Sequence, residues 1–293
     1  MHSIFTSKLL RIILIFIAYF TFAMLLACGG KNAEEESKSL MIKGSDTMVH
    51  LVSRWAEVFM GKYADVEISV TGGGSGTGIA ALINGTTDIC AASRKMKQKE
   101  IDLAKEQDIK PLEHTVAMDG IALVVNPENP INSLSIEQLE KIYTGVYTRW
   151  DQVGGPDEPI GVLSRESSSG TYVFFQEHVL NKKDYTPNAR LMPATSAIIQ
   201  SVSTDKWSIG YVGLGYAAEA GEKVKVLAVS ESAATEAILP SMETVIDGSY
   251  SIARPLYLYT KGEPEGLTRA FLEFCLSNEG QEIVKETGYV TVK

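Results

Sequence analysis

The sequence predicts an α/β protein of two lobes with a ligand cleft between them, and three observations carry that prediction. Short apolar strands alternate with helix-spaced apolar stretches along most of the 293 residues, which is the pattern of α/β layering. Four strand ends lead into turns rich in hydroxyls, glycine or arginine, and open α/β sheets bind ligands at the carboxyl ends of their strands. Two β-rich runs, Leu112 to Val125 and Ser251 to Thr260, are placed to cross between lobes, and such a pair makes a hinge. The expected lobes are residues 40–121 with 251–293, and residues 122–250. The length fits about two domains of ~150 residues. The 45% hydrophobic fraction supplies full cores, not a disordered chain.

The N-terminus reads as a targeting segment. Lys8 and Arg11 precede the apolar run Ile12 to Leu26, which ends in Leu26-Ala27-Cys28. A basic region, an apolar core and a small-residue cleavage site make a secretory signal, residues 1–27. A membrane-spanning helix is the alternative, because the run approaches the ~17-residue lower limit of a span. Cysteine directly after the small residue resembles a bacterial lipobox, which implies that Cys28 becomes a lipidated first residue. Residues 28–39 then read as a polar tether. Removing residues 1–27 takes two of the 27 bases and none of the 36 acids, which leaves 25 against 36, or −11. That balance argues against nucleic acid as a partner. An anion site here must therefore rest on local dipoles and a few placed arginines.

Leu40 to Lys43 is a short strand, Gly44-Ser45-Asp46-Thr47-Met48 its turn, and Val49 to about Lys62 a helix. Leu51, Val52, Trp55, Val58 and Phe59 fall at helical spacing, with Trp55 in the core. Val66 to Val70 is the next strand, and Thr71 to Gly78 a glycine-rich turn before a helix from Ile79. Glycines there let backbone N–H groups approach a ligand. The loop lacks the Lys-Ser/Thr of a Walker loop, and Gly76, Gly78 and Ala81 match a dinucleotide fingerprint only loosely. Asp88 to Ala92 is a third strand, with Ser93 and Arg94 at its end and a polar helix to about Lys105. Beyond the first crossover, Ser135 caps a short helix to about Tyr143, and Gly145 to Gly155, with Trp150, reads as a loop.

The stretch Leu163 to Phe175 holds the strongest signal. A strand from Ile160 hands over to a helix through Arg165, Ser167, Ser168, Ser169, Gly170 and Thr171. The first amides of a helix lack internal partners and its dipole is positive there. With hydroxyls and a guanidinium added, such a turn suits a tetrahedral oxyanion. Ser169 or Thr171 acting only as a helix cap is the competing reading. A helix follows over Ser196 to Ser203, then strands over Ile209 to Val212 and Val224 to Val229. Leu267 to Leu276 and Gln281 to Lys285 are closing helices. Cys90 and Cys275 are expected to be free buried thiols. His50, His114 and His178 lack metal-ligand spacing, so neither a metal nor a cofactor is expected.

After the tether, the chain resembles the PstS-type phosphate-binding lipoproteins of bacterial ABC phosphate uptake. The resemblance rests on Gly44-Ser45-Asp46-Thr47, Gly72 to Gly78, Asp88 to Arg94, Tyr143-Thr144-Gly145 with Trp150, Arg165 with Ser169-Gly170-Thr171, and Ile209 to Val212. It implies the type II periplasmic binding protein fold and an extracytoplasmic, lipid-anchored, monomeric protein. That protein captures inorganic phosphate and hands it to an ABC permease, with no enzyme activity. Thr47 and the Met48 backbone, Ser75, Arg165, Ser169, Gly170 and Thr171 are then phosphate contacts, Arg94 is counted with them, and Ser45 and Asp46 are further candidates.

Two departures stand out. Arg94 occupies the place where well-known members carry an aspartate that accepts a hydrogen bond from protonated phosphate, and a carboxylate there rejects sulfate. Asp46, or else Glu166, is the candidate replacement. Ser167 stands where an aspartate commonly orients the binding arginine, so Glu166 or another acid must hold Arg165, or nothing does. Alternatives are a binding protein for another tetrahedral oxyanion, a sensing module, and an exported phosphate-ester hydrolase with a serine nucleophile.

Overall fold

The computed structural model describes residues 39–232 and 234–292. The expected leader 1–27, the Cys28 lipidation site and the tether up to residue 38 lie outside the described residues. Ser39, read as tether, opens the first strand.

Strands β1 (Ser39–Gly44), β2 (Glu67–Thr71) and β3 (Ile89–Ala92) are parallel neighbours, with Leu40 opposite Ile68 and Ile42 opposite Ile89. Alternate residues of β1 turn inward, whereas every residue of β3 is buried, as expected of a strand covered on both faces. Helix α1 (Val49–Lys62) packs Leu51, Val52, Trp55, Ala56 and Phe59 into one core with Leu40, Ile42, Phe271 and Val284. Trp55 is fully buried, and its indole donates to the Gly280 carbonyl at 2.8 Å.

The long strand β4 (Leu112–Val125) joins the two halves of the sheet. Leu112 to Gly120 pair antiparallel with β10 (Ala253–Thr260). Ile121 to Val125 pair with β8 (Ser208–Gly213), and Leu123 to Val125 also with β9 (Lys225–Ser230). The change of partner falls between Gly120 and Ile121. Beyond it, β6 (Gly161–Arg165) runs parallel to β8 and to β7 (Arg190–Met192), and β5 (Ser133–Ser135) parallel to β9. The order β2-β1-β3-β10-β4-β8-β6-β7 thus sets parallel strands on either side of an antiparallel centre. This is the expected two-lobed architecture with two crossover strands. The second lobe has its own core around Leu123, Trp150, Phe175 and Tyr211, in which Phe175 stacks on Tyr211 at 4.2 Å.

Several boundaries differ from expectation. Trp150 opens a one-turn 3-10 helix, Trp150–Val153, inside the expected loop, and its buried indole donates to the Trp207 carbonyl at 3.0 Å. Helix α2 (Ser75–Ile83) starts four residues earlier than expected, taking in half of the glycine-rich turn. Gly74, at φ 101°, ends the turn, and Gly78 brings the helix onto β1. A Cβ at Gly78 would lie 2.5 Å from the Lys43 carbonyl oxygen. Helix α3 (Gln98–Glu106), α4 (Ile136–Tyr143), α6 (Thr195–Thr204), α9 (Gly266–Cys275) and α10 (Asn278–Glu286) fall near their expected places. The short β5, β7, α7 (Leu214–Ala220) and α8 (Met242–Ile246) are additional. Cys90 and Cys275 are buried free thiols, pushed up by burial. No helix among the described residues is long and apolar enough to cross a membrane.

Candidate anion-binding site

The four turns singled out by sequence converge between the lobes. Asp46–Met48 forms a 3-10 turn after β1, α2 starts at Ser75, Ser93 follows β3, and α5 (Gly170–His178) starts after β6. Ser45 Oγ donates to Ser93 Oγ at 2.8 Å, and the Ser93 amide donates to Ser75 Oγ at 3.0 Å. The hydroxyls of Ser75 and Ser93 are 3.3 Å apart. From the facing lobe, Thr171 Oγ1 lies 2.8 Å from Thr47 Oγ1. Ser169 caps α5, its Oγ accepting the Thr171 and Tyr172 amides at 3.2 and 3.4 Å. Gly170 sets this turn directly on the serines, because a Cβ there would lie 2.3 Å from Ser75 Oγ and 2.6 Å from Ser93 Oγ. The Gly76 amide donates to the Ser168 carbonyl across the cleft at 2.9 Å. Ser45, Thr47, Ser75, Ser93, Ser169, Gly170 and Thr171 are all buried. Buried hydroxyls and the positive starts of two helices, gathered in one place, make an environment that favours an anion.

Arg165 is fixed from four sides. Its Nε donates to the Met192 carbonyl at 3.2 Å, Nη2 to the Pro193 carbonyl at 2.9 Å, and Nη1 to Thr195 Oγ1 at 2.7 Å. Nη1 also pairs with Asp46 Oδ2 at 3.2 Å, and the same carboxylate oxygen accepts the Thr195 amide at 2.7 Å. The acid that holds Arg165 is therefore Asp46, reaching across the cleft. Glu166 is exposed, and its carbonyl accepts the Ser169 amide at 2.9 Å. The Asp46 turn is held in place by Tyr216, whose hydroxyl donates to the Asp46 carbonyl at 3.0 Å.

Two candidates sit differently. Arg94 turns its guanidinium onto Glu100 in a two-point bond, 2.8 Å at each end, with a further bond to the Lys95 carbonyl at 2.9 Å. It is held by its own segment and not by the hydroxyl cluster. The Met48 amide closes its own turn, donating to the Ser45 carbonyl at 3.0 Å. The three described histidines lie elsewhere: His50 pairs with Glu219, His114 with Thr260, and His178 stacks on Phe174.

The sequence placed Ser93 at a strand end without counting it among the ligand contacts, and it missed Thr195 and a buried ion pair beside them. Arg254 on β10 pairs with Asp119 on β4 at 3.1 Å, the two residues facing each other in the strand register. Arg254 Nη2 also donates to Thr171 Oγ1 at 2.9 Å. A signal of pairing, though not of the partner, was present for Arg254, the one charged residue of β10, because unpaired charges are rarely buried.

Two lobes on crossover strands, with hydroxyls, helix starts and a fixed arginine between them, define a solute-binding protein whose ligand is held in the cleft. The chain belongs to the PBP superfamily, whose domain model matches residues 30–279. It is 31% identical over 277 residues to the phosphate-binding protein PstS of Pseudomonas aeruginosa, covering 89% of this chain and 85% of that one. The PstS of Staphylococcus haemolyticus is 34% identical over 284 residues, 91% of this chain and 88% of that one. Among solved structures, a phosphate ABC transporter substrate-binding protein with bound phosphate from Clostridium perfringens superposes with a TM-score of 0.78. It shares 34% identity, over 87% of this chain and all of that one. An ABC-type phosphate transport receptor from Vibrio cholerae gives 0.69 at 27% identity, over 86% of this chain and 99% of that one.

Proposed function

We propose that this protein captures inorganic phosphate between its lobes and delivers it to an ABC permease. The observation that carries the reading is the meeting of Ser75, Ser93, Gly170 and the Thr47–Thr171 pair at the start of α5. Uptake from scarce supply needs a Kd of roughly micromolar or tighter, about −8 kcal/mol. Several hydrogen bonds to a charged ligand, each contributing about 1.5–3 kcal/mol, reach that after the costs of association. The serine chain can accept as well as donate. A protonated phosphate oxygen thus finds an acceptor without the aspartate that Arg94 replaces. The change of strand partner at Gly120 and Ile121 supports lobes of 40–121 with 251–293, and of 122–250. The leader and lipobox pattern supports an exported protein anchored through Cys28.

The test is calorimetric titration of the purified protein with phosphate and then sulfate. The expected result is phosphate at micromolar Kd or tighter, with sulfate at least tenfold weaker. Equal binding of both would turn the reading to a general tetrahedral oxyanion carrier, and no phosphate binding would end it. Loss of the protein from the membrane fraction in Cys28→Ala is the matching check on the anchor.

A further inference from the structure

We propose that Arg254 is a second arginine of the anion site, acting as a positioning residue that fills an acceptor lone pair of Thr171 and places a positive charge behind the Thr171–Thr47 hydroxyl donor. The inference rests on the anion-binding reading of the cleft. Arg254 is 2% exposed, sits on the hinge strand β10, and lays its guanidinium over the Phe174 ring at 5.2 Å. Its Nη2 reaches Asp119 Oδ2 at 3.1 Å and Thr171 Oγ1 at 2.9 Å, while Nε and Nη1 are buried without any hydrogen-bond partner. Asp119 is fully buried too, and its Oδ1 accepts the Leu214 amide at 3.0 Å. An ion pair kept only for stability gains little from such burial, and leaving guanidinium donors unmet adds to its cost. The arrangement makes sense as part of a site.

The hydroxyl protons can be counted. A guanidinium only donates, so Thr171 Oγ1 must accept from Arg254. Thr171 and Thr47 share one hydrogen bond, 2.8 Å long. If Thr171 donates it, the Thr47 proton is left to point into the cleft. If Thr47 donates it, Thr171 Oγ1 is filled by two donors and its own proton points into the cleft. Either way one hydroxyl offers a hydrogen to the ligand, and the charge of Arg254 behind it strengthens that bond. Without Arg254 the same proton stays free, but the Thr171 oxygen regains an unfilled lone pair beside the anion and the charge behind the donor is lost.

The test is a double-mutant cycle. Asp119→Asn with Arg254→Met removes both charges together, so that no lone charge stays buried. The tetrahedral anion that binds wild type most tightly, among phosphate, arsenate and sulfate, serves as the probe. The neutral-pair variant is expected to keep its melting temperature within a few degrees and to bind roughly 10- to 100-fold more weakly. In a Thr171→Val background the same change is expected to add almost nothing, because the charge acts through that hydroxyl. Wild-type affinity in the neutral-pair variant, or losses that simply add, would overturn the proposal. If the neutral pair does not fold, Arg254→Lys replaces it. A lysine side chain ends one bond short of the Nη2 that makes both contacts, so its ammonium does not reach Asp119 and Thr171 together, and the same loss, again absent in Thr171→Val, is expected. A wild type that binds no tetrahedral anion overturns both this inference and the reading of the cleft, whereas additive losses with normal wild-type binding overturn this one alone.

Discussion

Gly170 has no side chain because there is no room for one. A methyl group there would sit 2.3 Å from Ser75 Oγ, well inside van der Waals contact, and both neighbours are held by hydrogen bonds. Gly170 occupies ordinary helical space, so alanine does not strain the backbone and the lobe still folds. Gly170→Ala is therefore expected to leave the melting temperature of the free protein almost unchanged and to weaken phosphate binding by at least tenfold. Calorimetry beside a thermal melt checks this, and normal affinity in the variant would mean that α5 does not close onto the serines. The reach of sequence reasoning is plainest at this scale. Ser75, Gly170 and Thr171 were legible because each stands at a strand-to-helix turn, where local chemistry announces itself. Arg254 was not, since its partners come from positions 119 and 171, and nothing local marks a strand residue as the neighbour of a distant turn. The role of Asp46 was half legible. Its place in the site could be read, but its grip on Arg165 depends on how the lobes meet.

At the scale of the element, the segment after β3 is held by a clamp. Arg94 and Glu100 bind at two points, and Glu100 also accepts the Lys97 amide at 2.7 Å. Lys97 is the residue just before α3, so Glu100 both caps the helix and pins the strand end. Burial pushes the Glu100 carboxyl up, but the Arg94 and Lys97 bonds with their charges outweigh it, and the group is held below its ordinary value. A depressed carboxylate lends stability that is full above its unfolded pKa, near ~4.3, and is lost as pH falls through the folded value. Glu100→Gln is expected to be less stable than wild type to urea at pH 7. The gap should narrow as the pH is taken from about 5 to 3. A gap that stays constant across that range would show that the charge on Glu100 contributes nothing. The helix itself was legible in sequence; the clamp was not, because Arg94 in isolation reads as an ordinary surface base.

For the whole molecule, binding is a matter of closing two lobes over one site, and a ligand shifts closure only through contacts made in the closed state. The cross-cleft contacts differ in kind. Asp46 with Arg165 is a partly buried, charge-assisted contact shared with the Thr195 amide. His50 with Glu219, 2.6 Å apart beside the stacked Tyr216 ring, sits at the rim with both side chains roughly half exposed or more. Rim pairs contribute little, about 0–1 kcal/mol, whereas removing one partner of a buried charged bond leaves the other unmet. Asp46→Ala should accordingly weaken phosphate binding tenfold or more, and His50→Ala only about fivefold at most. Small-angle scattering adds the mechanical half of the test. Saturating phosphate should contract wild type and His50→Ala alike, and should contract Asp46→Ala less at the same fractional saturation. The thermal shift must follow the same order, since ligand at a hundred times its Kd stabilises by about 2.7 kcal/mol, and at a fixed phosphate concentration a weaker variant gains less. Equal contraction and equal thermal shift in Asp46→Ala would place the work of closure on the hydroxyl cluster and the Gly76–Ser168 bond, with Asp46 serving only to hold Arg165 still.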